Sequence, residues 1–243
     1  MAFPDVAIIG GSQSGLAAAR SLRLLGLAPV VLEASGSPAG SWHPRKFEGQ
    51  RVVVVGGGNS AVQIAHELAA TSRVTLASRA PLSFLDQVRD ARDVHHWLTS
   101  TGFDELPAPW LAPHVSGTLV LDDGRYRTAL KNGRFERREM FAALDGPHVV
   151  WSEAERERVD VVLLATGCRP HLDYLTALGA LDGDGMPLQA GGLSLTHPGL
   201  AYLGLEFQWS FSSNTLRGLA RDAAYVSGPL AAHVRRAPAA VGL

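Results

Sequence analysis

Cysteine is almost absent from this chain of 243 residues. Cys168 stands alone, which excludes a disulfide framework, a paired redox thiol and a cysteine metal cage. Net charge is missing as well: 22 Lys and Arg against 23 Asp and Glu leave a formal charge of -1, so electrostatics favour neither nucleic acid nor an anionic membrane as partner. No run of apolar residues reaches membrane-spanning length, and the start MAFPDVAIIGG has no basic segment and too short an apolar run for a signal peptide. Among the nine histidines there is no HExxH, since His66-Glu67 has no second His one turn on, and no G-x-S-x-G elbow is present. Neither a zinc site nor a hydrolase nucleophile is expected. Cys168 has no adjacent His or Lys to activate it and reads as inert packing, and His95-His96-Trp97 as surface plus core. What remains is a soluble, cytoplasmic protein with small-molecule partners, long enough for one large domain or two small ones.

What the chain does have is two glycine-rich loops, each after a strand-like run and each opening a helical apolar stripe. The first, Gly10-Gly11-Ser12-Gln13-Ser14-Gly15, follows DVAII and precedes Leu16, Ala17, Ala19, Leu22 and Leu25 at helical spacing. A helix start carries unpaired N–H groups and the positive end of the macrodipole, so a pyrophosphate set there meets several donors together. Gly10 permits the tight turn and Gly15 the close packing of helix on strand, while Ser12 stands where a middle glycine is usual. The next strand, Ala28 to Leu32, ends in Glu33, placed to bond an adenosine ribose; the plain alternative is a solvated strand end.

The second loop, Gly56-Gly57-Gly58-Asn59-Ser60-Ala61, follows RVVVV and satisfies G-x-G-x-x-A through Gly56, Gly58 and Ala61. Its helix stripe is Ala61, Val62, Ile64, Ala65 and Leu68, and the strand Val74 to Ala77 then ends in Ser78-Arg79 instead of an acid. A guanidinium there can grip a ribose 2′-phosphate in two-point fashion, with the serine hydroxyl helping, which favours NADPH over NADH; otherwise Arg79 is a solvated charge. Val161 to Leu164 followed by Ala165-Thr166-Gly167 reads as a strand and turn, either structural or at a cofactor.

These segments together resemble the bacterial class B flavin-containing monooxygenases, and more broadly the two-dinucleotide-binding flavoproteins. The likeness is carried in order by GGSQSGLAAA with Glu33, AGSW at Ala39 to Trp42, FEGQRVVVVGGGNSAVQIA, Ser78-Arg79, VVLLATGCRP and YLGLEFQWSFSSNTLRGLARDAA. It implies an α/β, Rossmann-like fold with two dinucleotide-binding domains. FAD would be held by Gly10, Ser12, Gln13, Ser14, Gly15, Glu33, Ser41, Trp42, Thr166, Gly167, Ser212 and Ser213. NADPH would be held by Gly56, Gly58, Asn59, Ser60, Ser78 and Arg79, with Asn59 near the reacting centre as the catalytic candidate. In one respect the chain departs from the family. Only His43 to Lys46 separate Trp42 from Phe47 where the family has a stretch the length of a small domain, so the FAD part is expected to be incomplete.

The expected domains are therefore 1–42 with 159–243 for FAD and 43–158 for NADPH. The resemblance implies an oxidoreductase that uses NADPH and O2 to oxygenate a nucleophilic N, S or As atom of a small substrate through a C4a-hydroperoxyflavin. Its alternatives are a shortened nucleotide-binding derivative with little activity, and an uncoupled NADPH oxidase that makes peroxide. An apolar face left by the missing stretch would favour a homodimer.

Overall fold

The computed structural model describes residues 4–34, 47–111, 115, 118–153 and 155–236. From the N-terminus come β1 (Val6–Ile9), α1 (Gln13–Leu24), β2 (Pro29–Leu32), β3 (Arg51–Val55), α2 (Asn59–Leu68) and β4 (Arg73–Ser78). Then follow β5 (Ser83–Asp86), β6 (Val88–Arg89), β7 (Arg92–Asp93), α3 (Val94–Ser100), α4 (Ala108–Leu111), β8 (Leu119–Asp122), α5 (Arg125–Lys131) and β9 (Glu136–Glu139). The last elements are β10 (Ala143–Asp145), β11 (His148–Ser152), β12 (Glu155–Arg158), β13 (Val161–Leu164), β14 (Gln189–Ala190), β15 (Leu193–Ser194) and α6 (Leu216–Arg236). They fall into two units, residues 1–41, 98–115 and 169–243 in one and 42–97 with 116–168 in the other.

The second unit is built on a parallel sheet of order β13-β3-β4-β9. Its central strand β3 reads as an unbroken β-branched run because both faces are covered, and Val52 to Val55 are all buried. Alternate residues point to opposite faces, so Val52 and Val54 join Val62, Leu68, Leu76, Val120 and Phe135 on one side. Val53 and Val55 meet Ala77 and Val149 on the other, backed by Phe141 and Trp151, under the antiparallel sheet β10-β11-β12. Arg51 fixes the start of β13 beside β3: its backbone N–H and its guanidinium donate to the Asp160 carboxylate at 2.7 to 3.0 Å.

The first unit has a thinner sheet. β1 and β2 pair in parallel as a two-stranded sheet, and α1 runs against α6, whose inner face is Leu219, Ala223, Val226 and Ala231. The segment Phe103–Leu111 is tied to α6 through Asp104, whose buried carboxylate accepts from Arg217 Nε at 2.6 Å and Nη2 at 3.0 Å. With so few strands the sheet cannot cover its own apolar residues, and Ile9 is 61% and Leu32 52% exposed.

Two boundaries differ from the expected 1–42 with 159–243 against 43–158. The strand Val161–Leu164 completes the sheet of the second unit by pairing with β3 and does not belong to the first, because its β-branched and leucine side chains need that sheet's cover. Residues 98–115, expected with the second loop, group with the first unit through the Asp104–Arg217 pair and the Pro107–Ser210 bridge. The closing helix α6 runs 21 residues, from Leu216 to Arg236.

Candidate dinucleotide sites

In the first unit the chain leaves β1 through Gly10, which sits at φ +104°, and turns at Ser12 into α1. Gly15 is required by contact: a Cβ there would lie 1.9 Å from the Gly10 carbonyl oxygen. Ser12 caps α1 with extended backbone and no side-chain bond, so the N–H groups of the first turn stay available. Glu33 reaches back from the end of β2, and its carboxylate accepts the Gly11 N–H at 2.7 Å. Ser14 is hemmed in by Gly204, where an added Cβ would meet its hydroxyl at 2.3 Å. A cavity of about 470 Å3 runs from this loop along β1, bounded by Gly10, Ser12, Gln13, Leu175, Gly204 and Ser227.

In the second unit the crossing from β3 to α2 is tighter. Gly56 lies at φ +149°, and a Cβ there would come 2.4 Å from the Ala165 carbonyl oxygen and 2.9 Å from the Ala61 methyl. A larger residue at position 61, which is fully buried, would collide in the same place. Gly58 has the Thr118 methyl 2.5 Å from where its Cβ would be. An open cleft of about 950 Å3 lies over this crest, lined by Gly57, Ser60, Ser78, Arg79, Thr166 and Gly167. It occupies the carboxyl ends of parallel strands, where open α/β sheets take their ligands.

The structure brings together most of the residues singled out in the sequence, with several reassignments. Thr166 and Gly167, expected with FAD, line the second-loop cleft because β13 delivers them beside β3. Ser212 and Ser213, expected at the flavin, are buried and turned into their own loop. The Ser212 hydroxyl donates to the Asp104 carbonyl at 3.0 Å, and the Ser213 hydroxyl accepts the Trp209 and Ser210 N–H groups. Asn59, the catalytic candidate, accepts the Leu121 N–H through Oδ1 at 2.8 Å and so pins β8 to the start of α2. Ser78 is likewise committed, its buried hydroxyl donating to the Ala80 carbonyl at 2.8 Å, whereas Arg79 is exposed in the cleft. Ser41 and Trp42 lie outside the described residues.

One residue that holds Ser78 at the second site, without lining the cleft itself, carries no sequence signal. Arg137 of β9 donates through Nε to the Ser78 hydroxyl at 2.8 Å and through Nη2 to the Ser78 carbonyl at 2.9 Å. Within ERRE it is one charge among four, and only strand pairing brings it to Ser78. Among the described residues no cluster of His, Cys, Asp and Glu could hold a metal ion, and no helix is long and apolar enough to cross a membrane.

This topology and these two glycine crests define a Rossmann-type α/β fold. In fold the chain is flavin monooxygenase-like: it superposes on a flavin-containing monooxygenase from Stenotrophomonas maltophilia with a TM-score of 0.68 at 19% identity, over 96% of this chain and 99% of that one. The thioredoxin reductase of Lactococcus lactis gives a TM-score of 0.61 at 14% identity, again over 96% and 99%. In sequence it is similar to the uncharacterized oxidoreductase CzcO of Bacillus subtilis (strain 168), 28% identical over 183 residues, which is 72% of this chain and 51% of that protein. The chain thus spans about half the length of the curated relatives it matches. No family model matches it.

Proposed function

We propose that the chain acts as an FAD-dependent, NADPH-using oxidoreductase, a monooxygenase acting on a nucleophilic N, S or As atom of a small substrate. The observation that carries this reading is the pair of glycine crests, each in its own unit and each closed to any larger residue by a backbone oxygen, at Gly15 and at Gly56. Both leave helix-start N–H groups open to a pyrophosphate. The similarity to curated oxidoreductases over 72% of the chain supports the same direction.

The second site fits NADPH. Gly57, Gly58 and Ser60 would take the pyrophosphate, Arg79 would meet the 2′-phosphate as an exposed cation, and Thr166 and Gly167 would border the opposite wall. The first site fits the adenosine half of FAD: Gly10 to Gly15 would take the pyrophosphate, and Glu33 already points its carboxylate to the loop where a ribose would lie. Bound there, the flavin would supply hydride acceptance and oxygen chemistry, while this chain's own groups bind, orient and exclude water.

A second reading has its own support. Ser212 and Ser213 are spent inside their loop, and Ile9 and Leu32 stand in the open, so among the described residues little in the first unit shields a flavin ring. That favours weak FAD retention, with the chain acting as a nucleotide-binding derivative or an uncoupled NADPH oxidase. Absorbance of purified protein after FAD addition and desalting, then after anaerobic NADPH, separates these. Retained flavin bands that bleach support the oxidoreductase; no retained flavin defeats it.

A further inference from the structure

We infer that Arg137 is a positioning residue that gives the second site its preference for a 2′-phosphorylated nucleotide, an inference that rests on the NADPH reading above. β4 and β9 run parallel with Leu76 opposite Arg137, so the Arg137 side chain must reach forward two residues to grip Ser78 at the carboxyl end of the sheet. Ser78 and Arg79 are the two residues at which the cleft would receive the adenosine ribose.

The grip takes in both polar atoms of Ser78 that face it, the hydroxyl and the carbonyl. Ser78 then donates to Ala80, so one guanidinium braces the whole Ser78-Arg79-Ala80 turn from which Arg79 projects. Arg137 is partly buried, and among the described residues no carboxylate forms an ion pair with it, unlike Arg51, Arg125, Arg127 and Arg138 in the same unit. A partly desolvated guanidinium held by neutral partners keeps its full charge and spare N–H groups. A dianionic monoester arriving beside Ser78 would supply the missing counter-charge, and a ribose with a free 2′-hydroxyl would not. Arg79, exposed at the end of β4, could not discriminate as sharply without a fixed turn beneath it.

The test uses the adenosine halves of the two cofactors, so that it reads binding without flavin or turnover. Isothermal titration of 2′,5′-ADP and 5′-AMP is carried out on wild type, R137M, R137K and S78A, with circular dichroism to check that each is folded. R137M should weaken 2′,5′-ADP by roughly tenfold to thirtyfold, the loss of one charge-assisted contact, and leave 5′-AMP within about twofold. R137K should recover part of that loss, because it restores charge without the two-point grip. S78A should shift the same ratio in the same direction, and combined with R137M should add little. Equal weakening of both compounds by R137M, or none of either, overturns the inference while leaving the NADPH reading in place. A wild type that binds neither compound overturns the NADPH reading and this inference with it. Should R137M not fold, R137K decides alone: a selective loss of 2′,5′-ADP supports the inference and an unchanged ratio overturns it.

Discussion

Replacing Gly56 by alanine tests the tightest structural claim made for the second crest. The added methyl would lie 2.4 Å from the Ala165 carbonyl oxygen and 2.9 Å from the Ala61 methyl, and neither neighbour is the end of a flexible side chain. Ala165 is held in turn by its N–H bond to the Val55 carbonyl at 2.7 Å, so relief requires β3 and β13 to separate. Forcing extra volume into a site of this kind costs about 1–3 kcal/mol. The backbone at φ +149° adds a conformational cost of about 1–3 kcal/mol for a residue with a side chain. Together these give about 2–6 kcal/mol, against a total stability of about 5–15 kcal/mol for a folded domain. The expected fall in Tm is on the order of 10 °C. Gly57 supplies the control. Its added methyl would meet the Ser78 side chain at an ordinary 3.7 Å, and its φ is not in the left-handed region. Gly57→Ala should change stability by less than about 1 kcal/mol. Thermal melts followed by circular dichroism compare the two, and a G56A melt within 2 °C of G57A would show that the crest can relax and that the close packing argued here is wrong.

Other outcomes follow from the same contacts. The side-chain and backbone hydrogen bonds from Arg51 hold the Asp160 carboxyl well below the usual carboxylate range, so its contribution is complete above the unfolded value near about pH 4 and is lost as pH falls toward the lower folded value. D160N should therefore flatten the acid limb of a Tm-against-pH curve, and a limb as steep as wild type would refute the assignment. Asp104→Ala leaves Arg217 without its bidentate partner in the first unit and should cost about 2–4 kcal/mol in urea unfolding. A change below 1 kcal/mol would show the pair to be dispensable. Leu32→Lys places a charge on the exposed edge of the two-stranded sheet and should raise soluble yield and lower light scattering in concentrated samples; unchanged scattering would mean that this face is not what drives association.

How much of this was legible in the chain depends on whether a residue's role is local. A glycine that must turn tightly before a helix declares itself by spacing, and Gly10, Gly15, Gly56 and Ala61 occupy the places their motifs imply. The run RVVVV declares a strand covered on both faces, because a half-exposed strand does not carry four consecutive valines. Absences were equally local, with a single cysteine and balanced charge ruling out whole classes before any fold was considered. Roles set by pairing over long sequence distances were not legible. The strand at Val161 could be seen, yet only its register against Val52 puts Thr166 and Gly167 in the second cleft. Ser212 and Ser213 look like ligand groups until Asp104, more than a hundred positions away, occupies their loop. Arg137 is an ordinary charge in ERRE until β9 lies beside β4 and carries it to Ser78. Local geometry is written residue by residue in backbone preference and periodicity, whereas which side chain faces an empty cleft is decided by the neighbours that packing brings to it.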